Sequence, residues 1–533
     1  MLLAAGLVGG GLLAVFVQPA ARGSPTARSG GVFRISLAGL DYIDPALSYT
    51  SIGWTLIDTT CARLMTHPDK PPPEGYRLVT EVAARYPRVS RDGKTWTFTL
   101  RNGFRFSDGT PVRASAFARA INRTLAPGVR SPGVQYTQDI VGAQDVQAGR
   151  RRSAVGVVAR GNRLTVRFTR PVQDFPAQTT IPFFCAVPPT LPADPEGVGA
   201  FPGAGPYYVA EYRPGQRLVI RRNRYYRGKR PHHVDSFVAD LGGSPEQVLD
   251  RIERGQADWG DPDSPPAYFD PARRLVAKYG VNRSQFFVKP SLGLGGFALN
   301  TSRGLFRNNP RLRRAVNFAI DRRALALANG PQFAQATDQM LPPGLPGFAD
   351  ARIYPLTGPN LKKARALARG HTRGGKAVLY TLAEPPTLAL AQTVSQNLAK
   401  IGLEVEVKGI PFPAYFGRLA TRGEPYDIAF FDWAPDYLDP FTYINTLLDA
   451  RFIGATNFAR FNSAKYNALM RRAARLQGAA RYRTYGKLDV QVTRDAAPLV
   501  PVFRLNAATL VSKRVGCVVV RPALDLTAVC LKR

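Results

Sequence analysis

The sequence predicts an α/β fold, and two patterns indicate it. Residues 95–101 alternate between apolar and polar side chains, with Trp96 and Phe98 on one face, as in a half-buried strand. In the second half of the chain, a helical stripe ends at Gly402 and a strand follows at once over 403–408. Because helices and strands alternate there, we expect a mainly parallel sheet in that part of the chain.

The remaining elements follow from periodicity and end signals. Asn309 and Pro310 predict a helix start, because Asn caps helices and Pro fits their first turn. Pro127 marks the end of an earlier helix. In chain order, these elements are a strand over 32–37, a helix over 117–125, a strand over 164–168, helices over 310–320, 390–401 and 414–419, and a buried strand over 426–431.

Length and composition narrow the class of protein. The chain has 533 residues, 45% of them hydrophobic, which predicts two to four globular domains and excludes a disordered basic tail. Lys and Arg number 72 against 38 Asp and Glu, so the net charge is +34. Charge alone suggests a polyanion partner, but no helix-turn-helix, RNP or zinc-finger motif accompanies it. Specific nucleic-acid binding is therefore a remote alternative.

The N-terminus predicts export. Residues 2–17 carry no charge and fall short of the roughly 20 apolar residues that span a membrane comfortably. They fit the apolar core of a signal peptide, followed by a Pro/Gly/Ser-rich linker over 18–30. An uncleaved anchor or a buried helix is the alternative. We expect the rest of the chain to be extracytoplasmic, whether secreted, at the cell surface or periplasmic.

The four cysteines are Cys61, Cys185, Cys517 and Cys530. None belongs to a C-x-x-C pair, so zinc-ribbon and thioredoxin-type chemistry have no support. Cys517 and Cys530 flank a short apolar run and a turn, which predicts a local disulfide in an exported chain. Cys61 and Cys185 would then form the second pair. Four buried thiols remain the alternative.

No catalytic motif is present in the sequence. Residues 370–376 match a phosphate-binding loop, but Ala377 replaces the hydroxyl residue and a strand follows in place of a helix. The four histidines lie in turn-like segments, and no nucleophile with its base can be nominated. We therefore expect neither an enzyme nor a metal site, and no cofactor.

Several segments together resemble one known family. They are WTFTLRNGFRFSDGTPVRASAF over 96–117, GAGPYY over 203–208, FALNT over 297–301 with RRAVNFAIDR over 313–322, and WAPDYLDP over 433–440. In this order they are similar to the extracellular solute-binding proteins of ABC transporters, family 5, the oligopeptide- and dipeptide-binding type. The resemblance implies a two-lobed, periplasmic-binding-protein-like α/β fold of the large, three-subdomain type, with a hinged ligand cleft.

The same resemblance implies a domain organisation. After a signal or anchor segment and linker at 1–30, lobe I would comprise 31–60, 203–295 and 497–533. An inserted subdomain would comprise 61–202, and lobe II 296–496. A disulfide between Cys61 and Cys185 would then join the two ends of the inserted subdomain.

The resemblance also implies ligand-binding residues. In peptide-binding members, an Asp in a W-x-x-D segment pairs with the α-ammonium of the ligand, and the matching residue here is Asp436. Trp433 would form the wall of a side-chain pocket, and Tyr437 adjoins both. A turn or cap carboxylate is the alternative role of Asp436, and a core position that of Trp433.

Further candidates lie far from that segment. Thr50, Ser51 and Trp54 follow the first strand, in a region that reaches the cleft in family members, and Tyr136 occupies a comparable position after the helix over 117–125. Asp439 is expected instead to cap a helix that Pro440 begins.

These residues predict a receptor that captures peptides by their free α-amino end and delivers them to an ABC permease. Some short-peptide binders carry an Arg directly before the Trp, whereas this chain has Asp432 there, so ligand length stays open. A non-peptide solute (an oligosaccharide, a metal chelate or a cationic small molecule) is the alternative. The +34 charge predicts contact with an anionic membrane or cell-wall surface, which would hold the protein near its permease.

Overall fold

The structure is a computed structural model that describes residues 29–261, 272–521 and 523–532. The predicted signal segment at 2–17 and most of the linker lie outside these residues. Within them, no helix is both long and apolar enough to cross a membrane.

The N-terminal strand lies inside a five-stranded sheet. In spatial order the strands are Trp259–Asp261, Val32–Leu37, Ser236–Leu241, Arg217–Arg222 and Tyr207–Arg213. Val32–Leu37 pairs in parallel with both neighbours, and the remaining pairs are antiparallel. Phe33, Ile35 and Leu37 point into the core beneath this sheet, and the strand predicted over 32–37 is confirmed.

A four-stranded antiparallel sheet lies within the predicted inserted subdomain. Its strands are Arg88–Val89, Thr95–Thr99, Arg163–Arg167 and Val157–Arg160 in spatial order. Trp96 and Phe98 are buried against the helix Ala114–Leu125, in one core with Phe117. The predicted strand and helix are therefore confirmed, each with slightly different ends.

The third sheet corrects one expectation. Its six strands are Ala334–Ala336, Leu499–Leu510, Phe286–Leu299, Ile428–Trp433, Lys376–Leu382 and Glu404–Ile410. Lys376–Leu382 runs parallel to both of its neighbours, but the other three pairings are antiparallel. The prediction of a mainly parallel sheet is therefore wrong. Two long strands, Phe286–Leu299 and Leu499–Leu510, enter this sheet from distant parts of the chain without a helical crossover.

Helices cover these sheets and connect their strands. The longer helices are Ser51–Thr60, Ala114–Leu125, Pro245–Glu253, Ala272–Tyr279, Pro310–Ala319, Arg322–Ala328, Leu361–Ala368, Pro385–Ala399, Phe412–Ala420, Phe441–Leu448, Ala464–Ala474 and Gly478–Gln491. Short helical turns are Glu74–Tyr76, Val134–Thr137, Ala143–Gln147, Phe175–Gln178, Pro182–Phe184, Ala450–Phe452 and Val492–Ala496. Asn309 accepts a hydrogen bond from the Leu312 amide at 3.3 Å, which is the predicted cap.

The two long strands also bear on the lobe boundaries. The proposed boundary between 295 and 296 falls inside Phe286–Leu299, and Leu499–Leu510 starts just after the proposed boundary at 497. These strands pair with each other along most of their length. Paired strands that run from one part of the molecule to another are suited to the role of a hinge. The lobe limits themselves stay a prediction.

Two disulfides join the four cysteines in the predicted pairs. Cys61 is bonded to Cys185, with their Cα atoms 5.4 Å apart, and Cys517 is bonded to Cys530 at 5.0 Å. The second pair links the short strands Val515–Cys517 and Cys530–Leu531, which form a two-stranded ladder. A further small ladder joins Met65–Thr66 to Val79–Thr80.

Candidate ligand-binding site

A cavity of about 260 Å³ lies where distant parts of the chain meet. The helix Ser51–Thr60, the segment around Pro182, the segment 434–438 and the C-terminal segment around Arg521 all contribute to its wall. Ser51, Trp54, Asp436 and Tyr437, which the sequence nominates as ligand contacts, all line this cavity.

Asp436 accepts hydrogen bonds from two tyrosine hydroxyls. Tyr136 Oη donates to Oδ2 at 2.6 Å, and Tyr49 Oη donates to Oδ1 at 3.1 Å. Burial raises the pKa of the Asp436 carboxyl, while the bonds from Tyr136 and Tyr49 lower it. Burial and the nearby carboxylate raise the pKa of Tyr49 to about 12, so this phenol stays a donor at neutral pH. Among the described residues, no cation contributes to the shift of the Asp436 pKa.

Aromatic rings pack around this carboxylate. Phe183 is the centre of the group, with its ring centroid 5.9 Å from Trp54, 5.8 Å from Tyr136 and 6.1 Å from Tyr49. Tyr136 also meets Tyr437 edge to face at 6.2 Å. Offset and edge-to-face pairs at these distances fix ring orientation. The cluster therefore holds the two phenol groups in place beside Asp436.

The first helix supplies three of the nominated residues in different roles. Thr50 caps the helix, since its Oγ1 accepts from the Gly53 amide at 3.1 Å and donates to Asp41 at 2.8 Å. Trp54 lines the cavity, and its indole nitrogen donates to the Ser48 carbonyl at 2.8 Å. Thr50 is therefore occupied as a cap, whereas Ser51 and Trp54 present side chains to the cavity.

Tyr437 connects two parts of the chain that are far apart in sequence. Its hydroxyl donates to Asp174 Oδ2 at 2.6 Å, and both side chains are buried. Asp174 belongs to the predicted inserted subdomain and Tyr437 to the predicted second lobe. Together with the bond from Tyr136 to Asp436, this contact joins the two parts at the edge of the cavity.

Trp433 is not among the residues that line this cavity. It is half-buried against the core of the six-stranded sheet, beside Leu294 on the neighbouring strand. Within the described residues its indole N–H is buried without an acceptor, which is unusual for a Trp. Asp432, directly before it, is exposed. This placement favours the core role for Trp433 over the pocket wall.

The far end of the cavity carries charges that neutralise one another. Arg521 is paired with Asp525, and Arg63 with Asp58. Burial and the arginines lower the pKa of the nearby His67 to about 3, so the imidazole is neutral. No group of three or more His, Cys, Asp or Glu in the described ranges could hold a metal ion. Asp436 differs from these paired groups, because no described Arg, Lys or His neutralises its carboxylate.

Three residues of the site were not nominated from the sequence. Tyr49 directly precedes the nominated Thr50 and Ser51, so its position in that stretch was the available signal. Asp174 and Phe183 lie in a segment without any recognisable motif. Only the path of the chain brings Asp174 to Tyr437 and Phe183 to Tyr136, and sequence periodicity carries no information about that path.

Known proteins share this architecture. The model of the bacterial extracellular solute-binding proteins, family 5, matches residues 77–454. The chain is 26% identical over 510 residues to the probable D,D-dipeptide-binding periplasmic protein DdpA of Escherichia coli K12, which covers 91% of this chain and 90% of that protein. It is 25% identical over 470 residues to the periplasmic oligopeptide-binding protein OppA of the same strain, covering 82% and 81%.

Solved structures agree with the sequence relatives. The chain matches the clavulanic acid biosynthesis oligopeptide binding protein 2 with a TM-score of 0.85 and 26% identity, covering 96% of this chain and 97% of that one. These relatives are binding proteins, which confirms the prediction that the chain is not an enzyme. The two-lobed α/β fold class is confirmed as well. The chain belongs to the bacterial extracellular solute-binding proteins, family 5.

Proposed function

We propose that this protein captures short peptides by their free α-amino end at Asp436 and presents them to an ABC permease outside the cytoplasm. The observation that carries the proposal is the Asp436 carboxylate, which lines the cavity and has two hydroxyl donors but no cationic partner in the described part of the chain. A half-buried carboxylate of this kind favours a ligand that brings a cation. The peptide-binding names of the relatives support this reading.

The geometry leaves room for the ammonium. A carboxylate has about four lone-pair sites, and Tyr49 and Tyr136 occupy one on each oxygen. The remaining sites accept N–H donors of the ligand in a charge-assisted bond, which is about twice as strong as a neutral one. The tyrosines therefore orient Asp436 without blocking it, and Trp54 and Tyr437 supply apolar surface beside it.

The size of the cavity favours a short ligand. Pockets for drug-sized ligands measure roughly 300–1,000 Å³, whereas this cavity holds about 260 Å³. The charges at its far end are already paired in the structure. The cavity therefore has room for a peptide of two or three residues, and the Arg side chains that line its described wall are already paired.

Titration calorimetry of the full chain tests the anchor. Dialanine, N-acetyl-dialanine and a hexapeptide are titrated into the parent protein, Asp436→Asn and the control Asp432→Asn, whose exposed carboxylate precedes the site. We expect Asp436→Asn and N-acetylation each to weaken binding at least ~30-fold, since a charge-assisted bond contributes about 2 kcal/mol. Asp432→Asn should bind like the parent. Equal binding of dialanine by parent and Asp436→Asn would refute the anchor.

A cationic small molecule is the second candidate, because one observation favours it. The rings of Tyr49 and Tyr136 adjoin the Asp436 carboxylate and pack with Trp54 and Phe183 in one aromatic cluster, and such a group attracts any ammonium. Adding the diamine putrescine to the same titration separates the two. Heat with putrescine and none with any peptide would assign the protein to amine binding.

A further inference from the structure

The solvent face of the four-stranded sheet carries arginines and threonines and no carboxylate. Side chains alternate between the two faces of a strand, so the residues opposite the buried Trp96 and Leu164 point outward. In the cross-strand register, these outward positions are Arg88, Arg160, Arg163 and Arg167, with Thr95, Thr97, Thr99, Thr165 and Val158 between them. All four arginines are exposed.

Two of these arginines are direct cross-strand partners. Arg160 pairs with Arg163 across the antiparallel ladder, next to the turn at Gly161. Residues directly opposite have Cβ atoms about 4.5–5.5 Å apart, and like charges in that position destabilise a sheet. Neither guanidinium faces a carboxylate on this sheet. An anion between them would remove the repulsion.

The threonines complete an anion-binding chemistry. Thr97 and Thr165 are directly opposite each other in the middle of the face, flanked by Arg88 on one edge strand and by Val158 on the other. Hydroxyls donate hydrogen bonds to phosphate oxygens, and guanidinium groups donate stronger, charge-assisted ones. Arg also matches phosphate geometry with two parallel bonds. The face therefore presents Arg and Thr hydrogen-bond donors both along the strands and across them.

We propose that this Arg/Thr face binds the anionic headgroups of a phospholipid bilayer. A two-dimensional array of donors on an open sheet complements a planar array of phosphates better than it complements a single strand of polymer. The face holds one apolar residue, Val158, so the contact is electrostatic and does not insert into the lipid. It would hold the receptor parallel to the membrane in which its permease lies.

Sedimentation with vesicles tests this face in the full chain. Vesicles of phosphatidylcholine with 30 mol% phosphatidylglycerol are compared with pure phosphatidylcholine at low and moderate salt, so that binding that does not depend on anionic lipid appears in both. Each arginine near an anionic surface contributes about 1 kcal/mol, or roughly 5-fold. The variant Arg88→Gln/Arg160→Gln/Arg163→Gln/Arg167→Gln should lose the phosphatidylglycerol-dependent affinity by about a hundredfold or more.

A matched variant separates this face from net charge. Arg311→Gln/Arg323→Gln/Arg471→Gln/Arg472→Gln removes the same charge from exposed helical positions elsewhere. It should keep most of the vesicle binding, and both variants should keep the circular dichroism spectrum of the parent. Equal loss in the two variants, or no preference of the parent for anionic vesicles at low salt, would overturn the proposal. Binding of the parent to soluble polyphosphate, but not to anionic vesicles, would overturn it as well.

Discussion

Arg481 donates two hydrogen bonds to Asp439, from Nε to Oδ2 at 2.9 Å and from Nη2 to Oδ1 at 2.7 Å. Both side chains are almost completely buried, at 3% and 4% exposure. Asp439 Oδ1 also accepts from the Phe441 amide at 2.9 Å, at the start of the helix Phe441–Leu448, whose N-cap residue is Pro440. Asp439 therefore has a structural role, although it lies only three residues from Asp436 in the chain.

The two carboxylates should respond differently to substitution. Arg481→Met leaves Asp439 buried without its cation, so the free energy of unfolding should fall by about 3–5 kcal/mol. Urea unfolding measures this loss, and calorimetry on the folded protein should give nearly the parent affinity for peptide. Asp436→Asn should have the opposite effect: peptide affinity is lost, and the free energy of unfolding stays close to that of the parent. A stable Arg481→Met would contradict the role of Asp439.

Peptide affinity should depend on pH through Asp436. Burial raises the pKa of this carboxyl above the usual value of roughly 4. The anchor needs the ionised form, so affinity is complete above the raised pKa and is lost as the pH falls through it. Titrations of dialanine between pH 4 and pH 8 measure this loss. It should begin at higher pH than an ordinary Asp would allow, and residual binding by Asp436→Asn should not follow the same curve.

The bond from Tyr437 to Asp174 should stabilise the contact between the two parts of the molecule. Tyr437→Phe keeps the ring but leaves a buried carboxylate without its donor, which costs about 1–3 kcal/mol. We expect peptide affinity to fall by roughly 5-fold to 100-fold and the radius of gyration in solution to rise. Small-angle scattering measures the second effect. Tyr482→Phe, in the helix Gly478–Gln491, is the control and should change neither the peptide affinity nor the radius of gyration.

The two disulfides should differ in what they contribute. Cys61–Cys185 spans 124 residues and Cys517–Cys530 spans 13. In the loop-entropy model, a disulfide that closes a loop of about 100 residues raises the free energy of unfolding by roughly 4.7 kcal/mol. One that closes a loop of about 15 residues raises it by roughly 3 kcal/mol. Cys61→Ala/Cys185→Ala should therefore lower the unfolding free energy more than Cys517→Ala/Cys530→Ala. Four reactive thiols in the non-reduced, denatured parent would show that neither bond forms.

The sequence by itself determined the elements and the family. Strands such as Thr95–Thr99 and helices such as Pro310–Ala319 are readable because periodicity and caps are local properties of the chain. The resemblance of the W-x-x-D segment to the family implied a site role for Asp436, and Asp436 lines the cavity. Trp433 lies in the same motif but faces the core. The sequence near a strand end does not determine which of its sides meets the cavity.

Tertiary structure alone decided what surrounds Asp436. Tyr49 donates to Asp436 from a segment hundreds of residues away. Asp174 accepts from the neighbouring Tyr437, and Phe183 packs on Tyr136. No pattern within those segments specifies the partner. The antiparallel half of the six-stranded sheet has the same origin, since Leu499–Leu510 pairs with a strand some 200 residues earlier. Long-range pairing depends on the summed packing of the whole chain, whereas local periodicity reports only which face of each element is apolar.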